Sequence, residues 1–295
     1  MFTLQWQIDS LDTPVNIKSF LSQQNISKTA LTDIKFAGGF IKVNGVEQNV
    51  RYMINNGDVL EVGFPLEKRS EGLQPENIPL SILYEDDAVL IVVKPAGMST
   101  IPSREHPGGS LANALLGYYI NQGIESTIHI VTRLDRETSG LVLIAKHRHV
   151  HHLLSRQQQN NGVQRKYKAF VCGLMATKEG WIEEPIGRKP DSIIERMVSP
   201  NGKHAATYFK QLSQQKERQF TELELSLKTG RTHQIRVHLS HIGFPLVGDN
   251  LYGGSTKLLQ RQALHCFSLS FTHPISMEVL NFSIPYPEDM QALLS

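Results

Sequence analysis

Three segments of this 295-residue chain set charged and aromatic side chains close enough to do chemistry together. In the first, Arg133-Leu-Asp-Arg-Glu-Thr-Ser-Gly140, two arginines flank Asp135 just ahead of an apolar run. An arginine beside a carboxylate stabilises its negative charge, which a nucleophile or general base needs. A surface aspartate–arginine pair in a turn fits the same spacing. The second, Thr229-Gly-Arg-Thr-His-Gln-Ile-Arg-Val-His238, joins a strand to a helix through a glycine turn and brings Arg231, His233 and Arg236 to the helix start. Amide groups and arginines there suit a phosphate or the Asp135 carboxylate, and a capped helix with a solvated basic face is the plainer reading. In the third, Arg165-Lys-Tyr-Lys-Ala-Phe170, cations alternate with an aromatic along a strand. Tyr167 would give a nucleobase a flat face, with Arg165 and Lys168 beside it for the backbone, although a strand tyrosine also packs well in a core.

Other chemistries find less support. His147, His149, His151 and His152 crowd one stretch and His233, His238 and His241 another, without an HExxH or CxxC to complete a metal site. No Gly-x-Ser-x-Gly elbow is present, and no P-loop or GxGxxG cradles a nucleotide. Neither metal nor cofactor is expected.

These groups need a scaffold, and the periodicities supply one. Val89 to Val93 reads as a strand, leading into Lys94-Pro-Ala-Gly-Met98. Leu111 to Tyr119 is helical, and Ser139 to Ala145 is a near-continuous apolar run, the pattern of a strand buried on both faces. His149 to Gln158 reads as a helix and Tyr167 to Val171 as a strand. Thr221 to Leu227 alternates, Thr232 to His241 is a helix with Ile235, Leu239 and Ile242 inward, and Leu264 to Phe271 and Val279 to Ile284 are late strands. Strands predominate without a strict βαβ rhythm, so the expected class is α+β with a mixed, mainly antiparallel sheet and flanking helices.

Pro65 to Pro79 carries proline, glycine and charge without apolar periodicity and reads as a linker. Ahead of it lies a small unit. Val15 to Gln23 spaces Ile17, Phe20 and Leu21 on one helical face, with Asp12 and Thr13 as caps, and Ser27 caps a second helix to Phe36. Phe40-Ile-Lys-Val meets the hairpin turn Asn44-Gly45, and Asn56-Gly57-Asp58 precedes a closing strand. Lys18, Lys28, Lys35, Lys42 and Arg51 make this small module basic.

The bulk numbers are permissive: 40% hydrophobic, 20% charged, formal charge +2. A phosphate-binding face needs clustered rather than total charge, so nucleic acid is neither demanded nor excluded. Two cysteines far apart, Cys172 and Cys266, fit a reducing compartment. The amino terminus lacks the form of a signal peptide and no apolar run would span a bilayer, so the expected location is cytoplasmic, off the membrane.

Taken in order, the motifs resemble the RluA family of pseudouridine synthases. The likeness rests on Lys94-Pro-Ala-Gly-Met98, on Arg133-Leu-Asp-Arg-Glu-Thr-Ser-Gly-Leu-Val-Leu-Ile-Ala-Lys146 and on Tyr167-Lys-Ala-Phe-Val. It continues through Gly230-Arg-Thr-His-Gln-Ile-Arg-Val-His238, Gly248-Asp-Asn-Leu-Tyr-Gly253 and Leu264-His-Cys. Gly39-Phe-Ile-Lys-Val-Asn-Gly and Asn56-Gly-Asp-Val-Leu-Glu-Val resemble an S4-type RNA-binding module. The implied organisation is an S4-like α/β domain over 1–70, a linker over 71–80 and a catalytic domain over 81–295.

The resemblance implies Asp135 as the essential carboxylate, Tyr167 against the target base, Arg236 as partner of the aspartate, and Arg133 entering the space of a flipped nucleotide. Ile235 would pack near the base. RNA contacts are expected from Arg133, Arg136, Arg165, Lys168, Arg231, His233 and the five N-terminal cations. The implied substrate is a uridine in rRNA or tRNA, bound by a monomer. Thr132 departs from the histidine common at that position. Two other readings stay open at this point: an RNA-binding protein without catalysis, and a glycoside hydrolase, which would need a second paired acid.

Overall fold

A computed structural model describes residues 1–103 and 106–294. The small N-terminal unit comprises β1 (Thr3–Gln7), β2 (Val15–Asn16), α1 (Ile17–Gln23), α2 (Lys28–Phe36), β3 (Phe40–Val43), β4 (Val46–Glu47), β5 (Met53–Ile54) and β6 (Val59–Gly63). Its main sheet runs β1-β6-β3-β4, antiparallel throughout, and Leu4, Ile17, Leu21, Ile34, Leu60 and Val62 bury themselves in a core of their own. Ser27 caps α2 as expected, accepting from the Ala30 amide at 3.1 Å. The cap of α1 is not Asp12 or Thr13 but Asn16, whose side chain accepts from the Ser19 amide at 2.8 Å. Val15 and Asn16 pair with Ile54 and Met53, so helical geometry begins only after them. β1 alternates apolar and polar residues from Phe2 to Ile8 and pairs with distant β6.

The segment read as a linker lies strapped to the body. Glu67, its side chain 6% exposed, meets His129 Nε2 at 2.5 Å and His147 Nε2 at 3.3 Å, and accepts from the Arg148 amide at 2.7 Å. Further along, the Glu76 amide donates to the Asn113 carbonyl and the Asn113 side chain to the Gln74 carbonyl. Gly117 makes this approach possible, since a Cβ there would lie on the Glu76 carbonyl. Phe2 stacks on His147 at 4.6 Å and Phe64 on His149 at 5.2 Å, so the N-terminal unit is docked rather than tethered.

The body comprises β7 (Ile82–Glu85), β8 (Val89–Lys94), α3 (Leu111–Asn121), β9 (His129–Ile130), β10 (Ser139–Ala145), α4 (Arg148–Gln159), β11 (Gln164–Cys172), β12 (Glu179–Ile182), β13 (Ile186–Arg188) and β14 (Arg196–Val198). It continues with β15 (Thr207–Gln215), β16 (Phe220–Leu227), α5 (Gln234–His241), β17 (Leu264–Thr272), β18 (Val279–Ser283) and α6 (Glu288–Gln291). One sheet runs β12-β15-β16-β11-β17-β10-β8-β7, with β9 added on β10 and β18 on β17. Among the described residues only β10 and β17 pair in parallel, so the fold is mixed α/β with a mainly antiparallel sheet and few helices. Every residue of β10 is buried, as its unbroken apolar run requires. The strands from Glu179 to Gln215 leave little trace in the sequence pattern because they are short, polar or at the sheet edge.

Candidate active site

The Asp135 loop enters the sheet at its centre, where Ser139 and Gly140 of β10 lie beside His265 and Cys266 of β17, and Cys266 in turn pairs with Tyr167 of β11. Gly140, at φ 121°, permits that approach; any side chain would overlap the Cys266 backbone. Thr100 Oγ1 donates to the Leu134 carbonyl at 2.6 Å and accepts from its amide at 3.1 Å. The Thr138 amide closes the turn onto the Asp135 carbonyl. Beneath it, fully buried Lys94 donates from Nζ to the carbonyls of Pro95, Met98 and Arg136 at 2.8, 2.7 and 3.1 Å. Burial pulls this amine down to about 7, opposed by the charges of Glu137 and Asp135. The loop is therefore rigid where it carries Asp135, whose side chain stays 28% exposed.

Opposite stands Arg236 on α5, its side chain 8% exposed. Its Nε and Nη2 grip Asp249 at 2.7 and 2.8 Å, and Nη1 reaches Asp135 at 3.4 Å. Burial alone would weaken the guanidinium's hold on its proton; the two carboxylates more than reverse this and raise its pKa. Arg236 also lies over the Tyr252 ring at 4.8 Å, and Tyr252 closes a 3-10 turn over Asn250–Tyr252. The motifs pair Arg236 with Asp135 alone. Its bidentate partner is Asp249, a residue inside the Gly248-Asp-Asn-Leu-Tyr-Gly253 motif that spacing gives no reason to single out.

His233 comes to the same place by an unusual backbone. It holds φ 57° ahead of α5, so the helix starts at Gln234 rather than at Thr232. Its Nδ1 lies 2.8 Å from the Tyr252 hydroxyl and its Nε2 3.9 Å from Asp135. Burial lowers its pKa, with Asp135 opposing, so the ring is neutral near pH 7. Of the two anions the helix start suits, phosphate or the Asp135 carboxylate, His233 lies toward the carboxylate.

Tyr167 is 3% exposed and belongs to the central core, with burial pushing its phenol upward. Inward positions of β11 carry Tyr167, Ala169 and Val171, the core packing open to a strand tyrosine. A register shift between Lys166 and Tyr167, where β17 carries one extra residue, sets Tyr167 beside Cys266. The charges of Arg165 and Asp135 both bear on its phenol, which puts all three in one neighbourhood. Ile235 is buried at 5% in the same core, and Thr132 accepts from the Leu143 amide at 2.9 Å, which gives it a backbone-pinning role.

The other expected contacts divide. Arg133 is exposed and has no hydrogen-bond or ion-pair partner among the described residues. Arg231 is exposed, its Nε donating to the His204 carbonyl. Arg165 lies against Gly230, and its Nε is buried without a partner among the described residues. Arg136 instead turns to the Gly97 carbonyl, His106 and Glu137. Alternation on β11 sends Lys168 to the face opposite Tyr167, where it pairs with Glu224 at 3.4 Å, so it does not join this cluster. In the N-terminal unit Lys18, Lys28, Lys35 and Arg51 are exposed, and Lys42 is half-buried over Phe40. Among the described residues no group of three or more His, Cys, Asp or Glu side chains is arranged to hold a metal ion, and no helix is long and apolar enough to cross a membrane. Two neighbouring clefts of about 420 and 720 Å³ share Arg261 and Asp289, and neither is lined by Asp135.

The pattern over residues 88–241 matches the family described as RNA pseudouridylate synthase. The chain is 50% identical over 280 residues to an uncharacterized RNA pseudouridine synthase of Bacillus subtilis, YjbO, covering 95% of this chain and 98% of that one. It is 38% identical over 267 residues to the ribosomal large subunit pseudouridine synthase D of Xanthomonas campestris, covering 86% and 80%. In fold it is similar to human RNA pseudouridylate synthase domain containing 1, with a TM-score of 0.59 at 24% identity over 72% of this chain and 85% of that one.

Proposed function

Because the chain belongs to the RNA pseudouridylate synthase family and is an RNA pseudouridine synthase, we propose that Asp135 is its reacting carboxylate and large-subunit ribosomal RNA its substrate. The observation that carries the first part is the convergence on Asp135: a rigid loop, a partly exposed carboxylate and a buried arginine at 3.4 Å. The second part rests on relatives named as ribosomal large subunit synthases.

The reaction is an isomerisation. The N1–C1′ bond of uridine breaks, a C5–C1′ bond forms, C5 loses its proton and N1 gains one. Atoms and electrons balance without an oxidant or a donor. A stacked uridine must first leave the helix, which costs a few kcal/mol. Arg133, two residues before Asp135, exposed and without a partner among the described residues, would fill the vacated stack. Asp135 then attacks the sugar, adds to the base or removes a sugar proton; each route uses the carboxylate. Tyr167 forms the floor beneath it and Arg236 fixes its orientation. Arg165 and Arg231 supply phosphate contacts. The N-terminal unit, with two helices on a small sheet and exposed Lys18, Lys28, Lys35 and Arg51, acts as an S4-like RNA-binding domain over 1–70.

Mapping pseudouridine by chemical labelling in ribosomal and transfer RNA, from cells with and without the gene, tests the substrate. The proposal expects a site in large-subunit RNA to disappear. Loss confined to transfer RNA would overturn it.

A further inference from the structure

We propose that His233 is a positioning residue for the reaction, donating a hydrogen bond from Nε2 to the Asp135 carboxylate, with its tautomer set by the Tyr252 hydroxyl. This rests on Asp135 being the reacting group.

The protons around the ring fix its roles. The Arg196 backbone amide of β14 donates to the Tyr252 hydroxyl oxygen at 3.0 Å. With that donor already supplied, the Tyr252 O–H is free to donate, and His233 Nδ1 lies 2.8 Å away. A neutral imidazole has one donor nitrogen and one acceptor. If Nδ1 accepts, Nε2 carries the proton, and Nε2 faces Asp135 Oδ2 at 3.9 Å. That separation is just outside hydrogen-bond range, and such contacts tighten when substrate closes the site.

The backbone supports the assignment. A left-handed conformation at a histidine costs about 1 kcal/mol or more, and such residues persist where the surroundings fix them. Here the φ of 57° is what turns the ring back from the helix start to Tyr252 and Asp135. Charged and titratable groups face the ring from every side: Asp135 from its loop, Arg236 from α5, Arg196 from β14, and Asp249 and Tyr252 from the 3-10 turn. Two arginines against two aspartates leave a neutral imidazole as the donor. Arg236 and His233 would then hold the same carboxylate oxygen, Oδ2, leaving the other for the reaction. An imidazolium there would bind the carboxylate too tightly and blunt it.

Four variants test this under steady-state conditions with full-length protein. Asn tolerates the left-handed backbone and reaches Tyr252 but not Asp135, so His233→Asn should lower kcat about tenfold with KM for RNA within about twofold. Gln carries its amide nitrogen near the Nε2 position, so His233→Gln should recover much of the loss. Tyr252→Phe removes a bond available only to the neutral ring, so the acid limb of kcat should move to higher pH. Asp135→Asn is the reference. If it stays active, the reading of Asp135 falls and this inference with it. If it is inactive while His233→Asn keeps wild-type kcat, or loses only in KM, the inference alone is overturned; an unshifted acid limb in Tyr252→Phe also overturns it.

Discussion

Arg236 holds Asp249 with two parallel hydrogen bonds, at 2.7 and 2.8 Å, and reaches Asp135 with a single nitrogen at 3.4 Å. The asymmetry separates two jobs. Asp249, its side chain 1% exposed, neutralises and aims the guanidinium, and the remaining nitrogen presents a directed positive charge to the partly exposed carboxylate. Asp249→Ala leaves a buried cation unpaired, and unfolding in denaturant should show a destabilisation of about 3–5 kcal/mol. Turnover should fall with it. A loss below about 1 kcal/mol, the range of exposed pairs, would mean the pair is not buried in solution. Arg236→Lys keeps the charge and forfeits the planar fork, so it should lose turnover with RNA still bound.

Tyr167 is predicted to behave as a core residue as well as a site residue. Tyr167→Ala should cost about 3–5 kcal/mol of stability by opening a cavity among β10, β11 and β17. Tyr167→Phe should keep that packing and bind RNA normally, so any drop in its turnover isolates the hydroxyl. A Tyr167→Ala protein of unchanged stability would contradict the buried placement.

Much of this fold is readable because its periodicities are strong. The run from Ser139 to Ala145 has the pattern of a doubly buried strand, and Asn44-Gly45 is a strong hairpin signal; both form as read. The site is readable in part. Asp135 and Arg236 are 101 residues apart, and motif resemblance rather than spacing joins them. Lys94 and Asp249 stay hidden, since their work is done through burial, which a local pattern does not encode. The core side of Tyr167 and the anchoring of the segment before Leu80 are set by distant partners, here Cys266 for the one and His129, His147 and Asn113 for the other.

Docking of the N-terminal unit should be acid-sensitive. Burial opposes ionisation of Glu67, and the His129 hydrogen bond, the Arg148 amide and the charges of His129 and His147 outweigh it, holding the carboxyl at about 2 against 4.5. His147 itself is pushed down to about 4 by burial, so at neutral pH Glu67 lies 3.3 Å from a neutral His147 ring, whose charge bears on it only in acid. A depressed carboxyl stabilises the fold above 4.5, and that contribution, about 3 kcal/mol, fades as pH falls from 4.5 through 2. Stability curves of wild type and Glu67→Gln should therefore converge at low pH. A constant gap between them from pH 7 to pH 2 would show that Glu67 contributes nothing through its charge.

The exposed cations of the N-terminal unit should act by counterion release. Replacing Lys18, Lys28, Lys35 and Arg51 with alanine leaves the docked aromatics untouched, unlike deletion of the unit. RNA affinity should fall, and its logarithmic salt slope should shrink by up to about 0.7–0.9 for each phosphate that is no longer neutralised. An unchanged slope would assign the unit a purely structural role.

The most direct measurement is pseudouridine formation by Asp135→Asn on the RNA that the wild-type protein modifies, alongside its affinity for that RNA. The substitution is nearly isosteric and removes the charge that every proposed route requires. No product should form, while the dissociation constant stays within about tenfold, roughly 1.4 kcal/mol. Substantial turnover by the Asn variant would contradict the assignment of Asp135.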